Sequence, residues 1–121
     1  MGLHALIEHW IYILPIAAVG YLLWRRRSAS AGDLKAMLER GAQIVDVRSP
    51  AEFKAAAHPR STNIPLDQLE SRLKALNPDK PVLVCCASGA RSAVAAGVLK
   101  KAGFKEVANL GSWRRIAALV P

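Results

Sequence analysis

The residues best suited to chemistry stand in one short run, CCASGARS, at positions 85–92. An apolar stretch, PVLVC, leads into this run, and helix-forming residues follow it. The small side chains between Cys86 and Arg91 leave room for backbone N–H groups to point at one centre, and Gly89 permits a left-handed backbone there. Such amides, together with the start of a helix, bind anions and lower the pKa of a nearby thiol. The run therefore predicts a thiolate nucleophile in an anion-binding loop, with Arg91 as a further group for an oxyanion.

The elements that must position this loop alternate between helices and strands over residues 31–121. Residues 81–85 are apolar at every position, which is typical of a parallel strand buried on both faces. We therefore expect an α/β fold, an open parallel sheet flanked by helices, with ligands at the carboxyl ends of its strands. The predicted strands are 44–47, 63–64, 81–85 and 107–110, and the predicted helices are 31–40, 50–57, 67–76, 92–101 and 113–119.

The first 24 residues differ from the rest, because 18 of them are apolar. Residues 4–24 would extend about 32 Å as a helix, and the uncharged part, residues 10–24, about 22 Å. Tryptophans at both ends and the arginines at 25–27 favour a single membrane span with the following domain in the cytoplasm. We expect a transmembrane helix in residues 1–24, a basic flank and linker in residues 25–30, and a location in the cell inner membrane.

Charge and cysteine content narrow the range of functions. The net charge is +8, but acidic residues are interspersed with the basic ones and aromatic residues do not interleave with them, which disfavours nucleic-acid binding. A basic surface suits small anionic substrates. Cys85 and Cys86 are neighbours, so they cannot join distant parts of the fold, and a reducing compartment is expected. With His58 as the one histidine of the domain, no metal-ligand spacing is present, and neither a metal nor a cofactor is expected.

Five segments of the chain form one pattern: IVDVRSPAEF (44–53), NIPL (63–66), VLVCCASGARS (82–92), LKKAGF (99–104) and NLGSW (109–113). Taken together, they resemble single-domain rhodaneses, a family of sulfurtransferases. They follow the family's order and spacing across residues 31–121, so the resemblance covers the whole predicted domain. The chain departs from the family pattern at 56–61, where AAHPRS replaces the usual Gly-His-Ile-Pro-Gly-Ala, and at Gly111–Ser112, where a double glycine is usual.

The resemblance implies a mechanism in which Cys86 attacks the outer sulfur of a donor such as thiosulfate and becomes a persulfide. Cyanide or a thiol acceptor then takes up the terminal sulfur. A thiolate that is already ionised needs no separate base. By the same resemblance, Asp46 is expected to be structural, and Arg48 is a candidate accessory group that recruits the anion. The residues implied to bind the persulfide are Ala87, Ser88, Gly89, Ala90 and Arg91.

Two other functions remain open from the sequence. Counting from Cys85 gives Cys-x5-Arg to Arg91, the spacing of cysteine phosphatases and some arsenate reductases, although Cys85 continues the predicted strand. Alternatively, the domain is a membrane-tethered binding module without catalysis, against which the intact Cys86, Gly89 and Arg91 count. Cys85 is also a candidate resolving thiol that releases the sulfur or forms a disulfide with its neighbour.

Overall fold

The computed structural model describes residues 2–27 and 31–120. Most helices and strands predicted from the sequence are present, with ends shifted by one or two residues. Two 3-10 segments, Leu66–Gln68 and Glu70–Ala75, replace the helix expected over residues 67–76, and a third covers Trp113–Arg115. The other elements are α1 (Gly2–Arg27), α2 (Ala31–Glu39), β1 (Gln43–Asp46), α3 (Pro50–Ala55), β2 (Thr62–Asn63), β3 (Val82–Cys86), α4 (Ala90–Lys101), β4 (Val107–Ser112) and α5 (Ile116–Leu119).

The four strands form one parallel sheet in the order β2-β1-β3-β4. Strand β3 lies inside the sheet, between β1 and β4, and all five of its residues are buried. Parallel strands need crossover connections, and here helices and 3-10 segments supply them, which covers both faces of the sheet. The predicted α/β architecture with a parallel sheet flanked by helices is confirmed.

The two faces of the sheet carry separate apolar clusters. Because side chains alternate along a strand, Val84 and Cys86 lie on the face covered by α4, whereas Leu83 and Cys85 lie on the face covered by α2 and α5. The adjacent cysteines therefore belong to opposite sides of β3. This alternation decides which of the two sulfur atoms lies beside the helix that follows the strand.

Helix α3 begins at a complete capping box. The Ser49 hydroxyl accepts a hydrogen bond from the Glu52 amide at 3.2 Å, and the Glu52 carboxylate accepts one from the Ser49 amide at 3.3 Å. Pro50 is the first helical residue, where its missing N–H costs nothing. The sequence pattern Ser-Pro-Ala-Glu predicts this start, and the structure confirms it. The sequence also predicts a start of this kind for helix 31–40, at Ser30 with Asp33 three residues later, and Ser30 lies outside the described residues.

His58 accepts the hydrogen bonds that form a turn in segment 56–61, where the chain departs from the family pattern. The ring Nδ1 of His58 accepts a hydrogen bond from the amide of Arg60 at 3.1 Å. The carbonyl oxygen of His58 accepts two more, from the amide and the hydroxyl of Ser61, at 3.1 and 2.8 Å. The imidazole therefore has a local structural role in a turn.

The expectation of a transmembrane helix is not supported. Residues 2–27 form the single helix α1, yet among the described helices none is both long and apolar enough to cross a bilayer. The uncharged part, residues 10–24, would extend about 22 Å, which is less than the roughly 30 Å of a hydrocarbon core. Lengthening it towards the N-terminus adds His9 and Glu8, which lower the mean hydropathy. The domain boundaries expected at residues 24 and 30 stay predictions.

Candidate active site

The Cys86 sulfur lies at the base of the loop 86–91, which we call the cysteine loop. Cys86 is the last residue of β3, and its side chain is 1% exposed. The amide of Gly89 donates a hydrogen bond to the Sγ atom at 2.9 Å, and the Ser92 hydroxyl lies 3.4 Å from the same sulfur. Ala87 and Ser88, at the tip of the loop, are exposed. The sulfur is therefore held by polar groups close to the protein surface.

These contacts make the thiol unusually acidic. Burial by itself would raise the pKa of Cys86, because it disfavours the charged form. The Ser92 hydroxyl and amide act in the opposite direction, as do the amides of Gly89 and Ser88, and together they lower the pKa to about 7. Hydrogen bonds to a thiolate favour the charged form, so about half of the Cys86 side chains are ionised at neutral pH.

The acidity of Cys86 predicts a measurable pH profile. Because its pKa is about 7, the rate of alkylation by iodoacetamide should rise about tenfold between about pH 6 and about pH 8 and then level off. An ordinary cysteine would continue to gain reactivity above pH 8. Ser92→Ala removes the hydroxyl contact, so the profile should move to higher pH. A wild-type profile that still climbs steeply beyond pH 8 would contradict the assignment.

Asn109 on β4 holds the cysteine loop in place. Its Oδ1 lies 2.6 Å from the Ser92 hydroxyl, whose single hydrogen is donated to this oxygen beside the neutral thiol and to the Cys86 sulfur beside the thiolate. The same Oδ1 accepts a hydrogen bond from the Gly111 amide at 2.9 Å, and Nδ2 donates one to the Gly89 carbonyl at 3.0 Å. The register between β3 and β4 shifts after Asn109, so that β4 carries one extra residue, Leu110, at this point. Asn109 thereby links the loop, the first turn of α4 and the end of β4.

Gly89 lies close to the backbone of Gly111, and both glycines have a backbone conformation that other residues rarely adopt. The two glycines have φ angles of +103° and +85°, and a Cβ on Gly89 would lie 3.3 Å from the Gly111 Cα. The left-handed backbone at Gly89 is what turns its amide into the loop, because the φ angle required is one that other residues rarely adopt. The Gly111–Ser112 pair thus keeps a glycine at the position where the backbone has a positive φ angle.

Gly89→Ala is expected to destabilise the protein by about 1–3 kcal/mol, because alanine is strained at a positive φ. The substitution should also slow alkylation of Cys86, since the loop must shift away from Gly111. Gly97→Ala in α4 is the matched control: nothing lies within 4 Å of its added methyl, and alanine favours a helix interior. Urea unfolding curves and alkylation rates measure both effects, and equal stability of the two variants would contradict the prediction.

Arg91 is paired with a residue that the sequence analysis did not assign to the site. Its guanidinium donates to both carboxylate oxygens of Glu52 on α3, at 2.7 and 3.0 Å. The two side chains are 39% and 38% exposed, so the pair lies at the surface beside the cysteine loop. The pattern Ser-Pro-Ala-Glu identified Glu52 as a capping residue, but it carried no signal of contact with Arg91.

Arg48, the candidate accessory group, forms a buried ion pair. Its guanidinium is buried against Asp46, with Nη2 2.7 Å from Oδ2 and Nε bonded to both carboxylate oxygens. Nη2 also donates to the carbonyl of Ala56 at 2.7 Å, and the guanidinium stacks 4.6 Å from the centre of the Trp113 ring. Arg48 therefore connects β1 to the end of α3, and Asp46 has the structural role predicted for it. A role of Arg48 in recruiting the anion stays a prediction.

Cys85 lacks the features of a nucleophile. It is fully buried in the cluster beneath α2 and α5, and burial, followed by the nearby charge of Asp46, raises its pKa to about 12. The Cys-x5-Arg hypothesis thus places its nucleophile in an apolar core, on the opposite face of β3 from Cys86. The same separation leaves the predicted resolving role of Cys85 without a contact to support it.

The structure therefore brings together some of the site residues that the sequence predicted. Cys86, Ser88 and Gly89 converge on the sulfur, and Ser92 and Asn109 join them although neither was predicted. Arg91 is the last residue of the loop, and its charge is matched by Glu52. Binding roles for the amides of Ala87 and Ala90 stay predictions. The sequence held one indication that Asn109 and Ser92 belong to the site. Both lie in segments that resemble the family, NLGSW and VLVCCASGARS.

Comparison with known proteins identifies the family of this fold and site. The family model described as rhodanese-like domain matches residues 30–118, so the chain belongs to the rhodanese-like domain family. A rhodanese-related protein from Thermoplasma volcanium has a similar structure, with a TM-score of 0.63 and 34% identity, covering 78% of this chain and 95% of that one. The parallel sheet and its helices are thus a rhodanese-like fold.

Sequence relatives carry names from the same family. YqhL of Bacillus subtilis, an uncharacterized protein, is 44% identical over 71 residues, which are 59% of this chain and 56% of that one. The thiosulfate sulfurtransferase PspE of Escherichia coli is 33% identical over 75 residues, 60% of this chain and 72% of that one. The chain therefore spans little more than half the length of YqhL, and a larger share of PspE.

Proposed function

We propose that this protein is a sulfurtransferase that carries sulfane sulfur as a persulfide on Cys86. The observation that carries the proposal is the Cys86 sulfur at the end of β3, 2.9 Å from the Gly89 amide and with its pKa lowered to about 7. A sulfur in this state is a nucleophile at neutral pH without a neighbouring base. Membership of the rhodanese-like domain family supports the same conclusion.

In the first half-reaction the Cys86 thiolate attacks the outer sulfur of a donor. With thiosulfate, the bond between its two sulfur atoms breaks, sulfite leaves with the electron pair, and Cys86 holds a persulfide whose terminal sulfur is negative. The amides that lowered the pKa of the thiol also suit this anion, because their N–H dipoles are fixed before the reaction begins. No electrons are gained or lost overall, so no oxidant or reductant is required.

In the second half-reaction an acceptor nucleophile attacks the terminal sulfur. Cyanide leaves as thiocyanate, whereas a thiol leaves as its persulfide, and in both cases the electron pair of the broken sulfur–sulfur bond returns to Cys86 as thiolate. Ala87 and Ser88 at the tip of the loop are exposed, and we propose that small acceptors approach the terminal sulfur from this side. A small anionic donor and a cyanide or thiol acceptor are the substrates we propose, with no cofactor.

Intact-mass spectrometry after incubation with thiosulfate tests this proposal. The protein should gain the mass of one sulfur atom, and added cyanide should remove that mass while thiocyanate appears in equal amount. A protein that gains no sulfur from thiosulfate or from a thiol persulfide would overturn the proposal. It would instead favour a binding module that keeps the fold without the chemistry.

For the location, we propose the cytoplasmic side of the bacterial inner membrane. The arginines at 25–27 form a basic run, and the anionic lipids of the cytoplasmic leaflet attract such charges. Two free cysteines suit a reducing compartment. Cell fractionation with the full chain tests the location, and recovery in the periplasm would contradict it.

A further inference from the structure

The ion pair between Arg91 and Glu52 changes the charge that a donor meets at the cysteine loop. Within residues 86–91 the sequence holds one charged side chain, Arg91. Both of its terminal nitrogen atoms donate to the carboxylate of Glu52, at 2.7 and 3.0 Å. The positive charge that would attract an anion is therefore matched by a negative charge at the same place.

Glu52 cannot easily leave this position when a donor arrives. Its Oε1 also accepts hydrogen bonds from the Ser49 hydroxyl at 3.1 Å and from the Ser49 amide at 3.3 Å. These bonds belong to the capping box of α3, so they hold the carboxylate beside the loop independently of Arg91. The bonds from Arg91, then those from Ser49, lower the pKa of Glu52 to about 2, so the carboxylate is charged at neutral pH.

We propose that Glu52 is a specificity-determining residue that disfavours doubly charged donors at the cysteine loop. This inference rests on the proposed sulfur transfer and refines its substrate class. Thiosulfate carries two negative charges, and both are repelled by a fixed carboxylate. Donors with one negative charge near the transferred sulfur, such as thiosulfonates and the persulfides of small thiols, meet half of that repulsion. Glu52 acts on the donor through charge and does not contact the reacting sulfur.

Glu52→Gln removes the negative charge and keeps the capping box, because glutamine also fits the third position of that motif. The two donors to compare are thiosulfate and methanethiosulfonate, with cyanide as the acceptor. Coulomb energy is proportional to donor charge, so kcat/KM should rise about fourfold for thiosulfate and about twofold for methanethiosulfonate. Both gains should shrink as salt is added, because the pair is partly exposed.

Glu106→Gln is the matched control. Glu106 forms an equally short, two-bonded pair with Arg40, at 2.7 and 2.6 Å, and neither residue belongs to the cysteine loop. This variant should leave kcat/KM unchanged for both donors. If Glu52→Gln changes kcat/KM for both donors by one common factor that salt does not affect, the role of Glu52 is structural and the inference is wrong.

A second measurement does not depend on sulfur transfer. Iodoacetate is negatively charged and iodoacetamide is neutral, and both alkylate the Cys86 thiolate. By the same Coulomb argument, Glu52→Gln should raise the rate of alkylation by iodoacetate about twofold relative to the rate of alkylation by iodoacetamide. An unchanged ratio of the two rates would overturn the inference even if the protein transfers sulfur. If neither donor loads sulfur on the wild-type protein, the proposed function fails, and the specificity argued from it fails as well.

Discussion

Cys86→Ser is expected to lose all measurable sulfur transfer from thiosulfate to cyanide. A serine oxygen cannot form the persulfide, and a hydroxyl has no ionised form near neutral pH that the Gly89 amide would stabilise. The loss should appear in both half-reactions: no sulfur is gained from the donor, and no thiocyanate is released. The fold should survive, because serine is close to cysteine in size and the hydroxyl of Ser92 lies within reach of it.

Cys85→Ala is the matched control for the nucleophile. Alanine suits the apolar cluster around position 85 better than serine does, because a buried hydroxyl there would need a hydrogen-bond partner. This variant should keep kcat within about threefold of wild type, since it alters the opposite face of β3. Thiocyanate release and intact mass, measured on both variants, decide the assignment. Transfer retained by Cys86→Ser and lost by Cys85→Ala would reverse it.

Asp46→Ala is expected to lower the free energy of unfolding by about 3–5 kcal/mol. The substitution leaves the guanidinium of Arg48 buried without its counter-charge, because both carboxylate oxygens of Asp46 serve that one side chain. It also removes the acceptor of the Arg48 amide at the end of β1. The effect should be large because Asp46 is fully buried and Arg48 is 4% exposed, so water cannot replace the lost partner.

Urea unfolding monitored by circular dichroism measures this effect. Glu106→Ala serves as the control, because it breaks an ion pair whose side chains are 56% and 41% exposed, and such pairs contribute little to stability. The control should unfold at nearly the wild-type urea concentration. If Asp46→Ala also unfolds at the wild-type midpoint, the buried pair does not stabilise β1 as argued.

The sequence was sufficient to predict several local features of this protein: a strand, a loop and the start of a helix. The apolar run before Cys85 predicted a buried strand, and the small residues after Cys86 predicted a loop with a left-handed glycine, which the structure has at Gly89 with φ +103°. Ser49 and Glu52 predicted the start of α3. Each of these features depends on residues a few positions apart, so short-range spacing was sufficient to predict them.

The N-terminal segment shows where composition alone was misleading. Its apolar residues and flanking tryptophans favoured a membrane span, but the described residues hold no helix with the length and mean hydropathy for one. The apolar residues predicted a helix, and the structure has that helix as α1. They did not determine whether the helix spans a bilayer. The two properties differ because a helix forms from local hydrogen bonds, whereas spanning a bilayer needs about 20 predominantly apolar residues in one run.

The sequence by itself predicted the cysteine loop and the parallel α/β fold, and with them the thiolate chemistry proposed for Cys86. The tertiary structure decided the roles of charged residues that lie far apart in the chain. It paired Arg91 with Glu52, 39 positions away, and buried Arg48 against Asp46. An arginine is positively charged in any sequence, but whether that charge reaches a substrate depends on which carboxylate the fold places beside it, and spacing along the chain does not encode that contact.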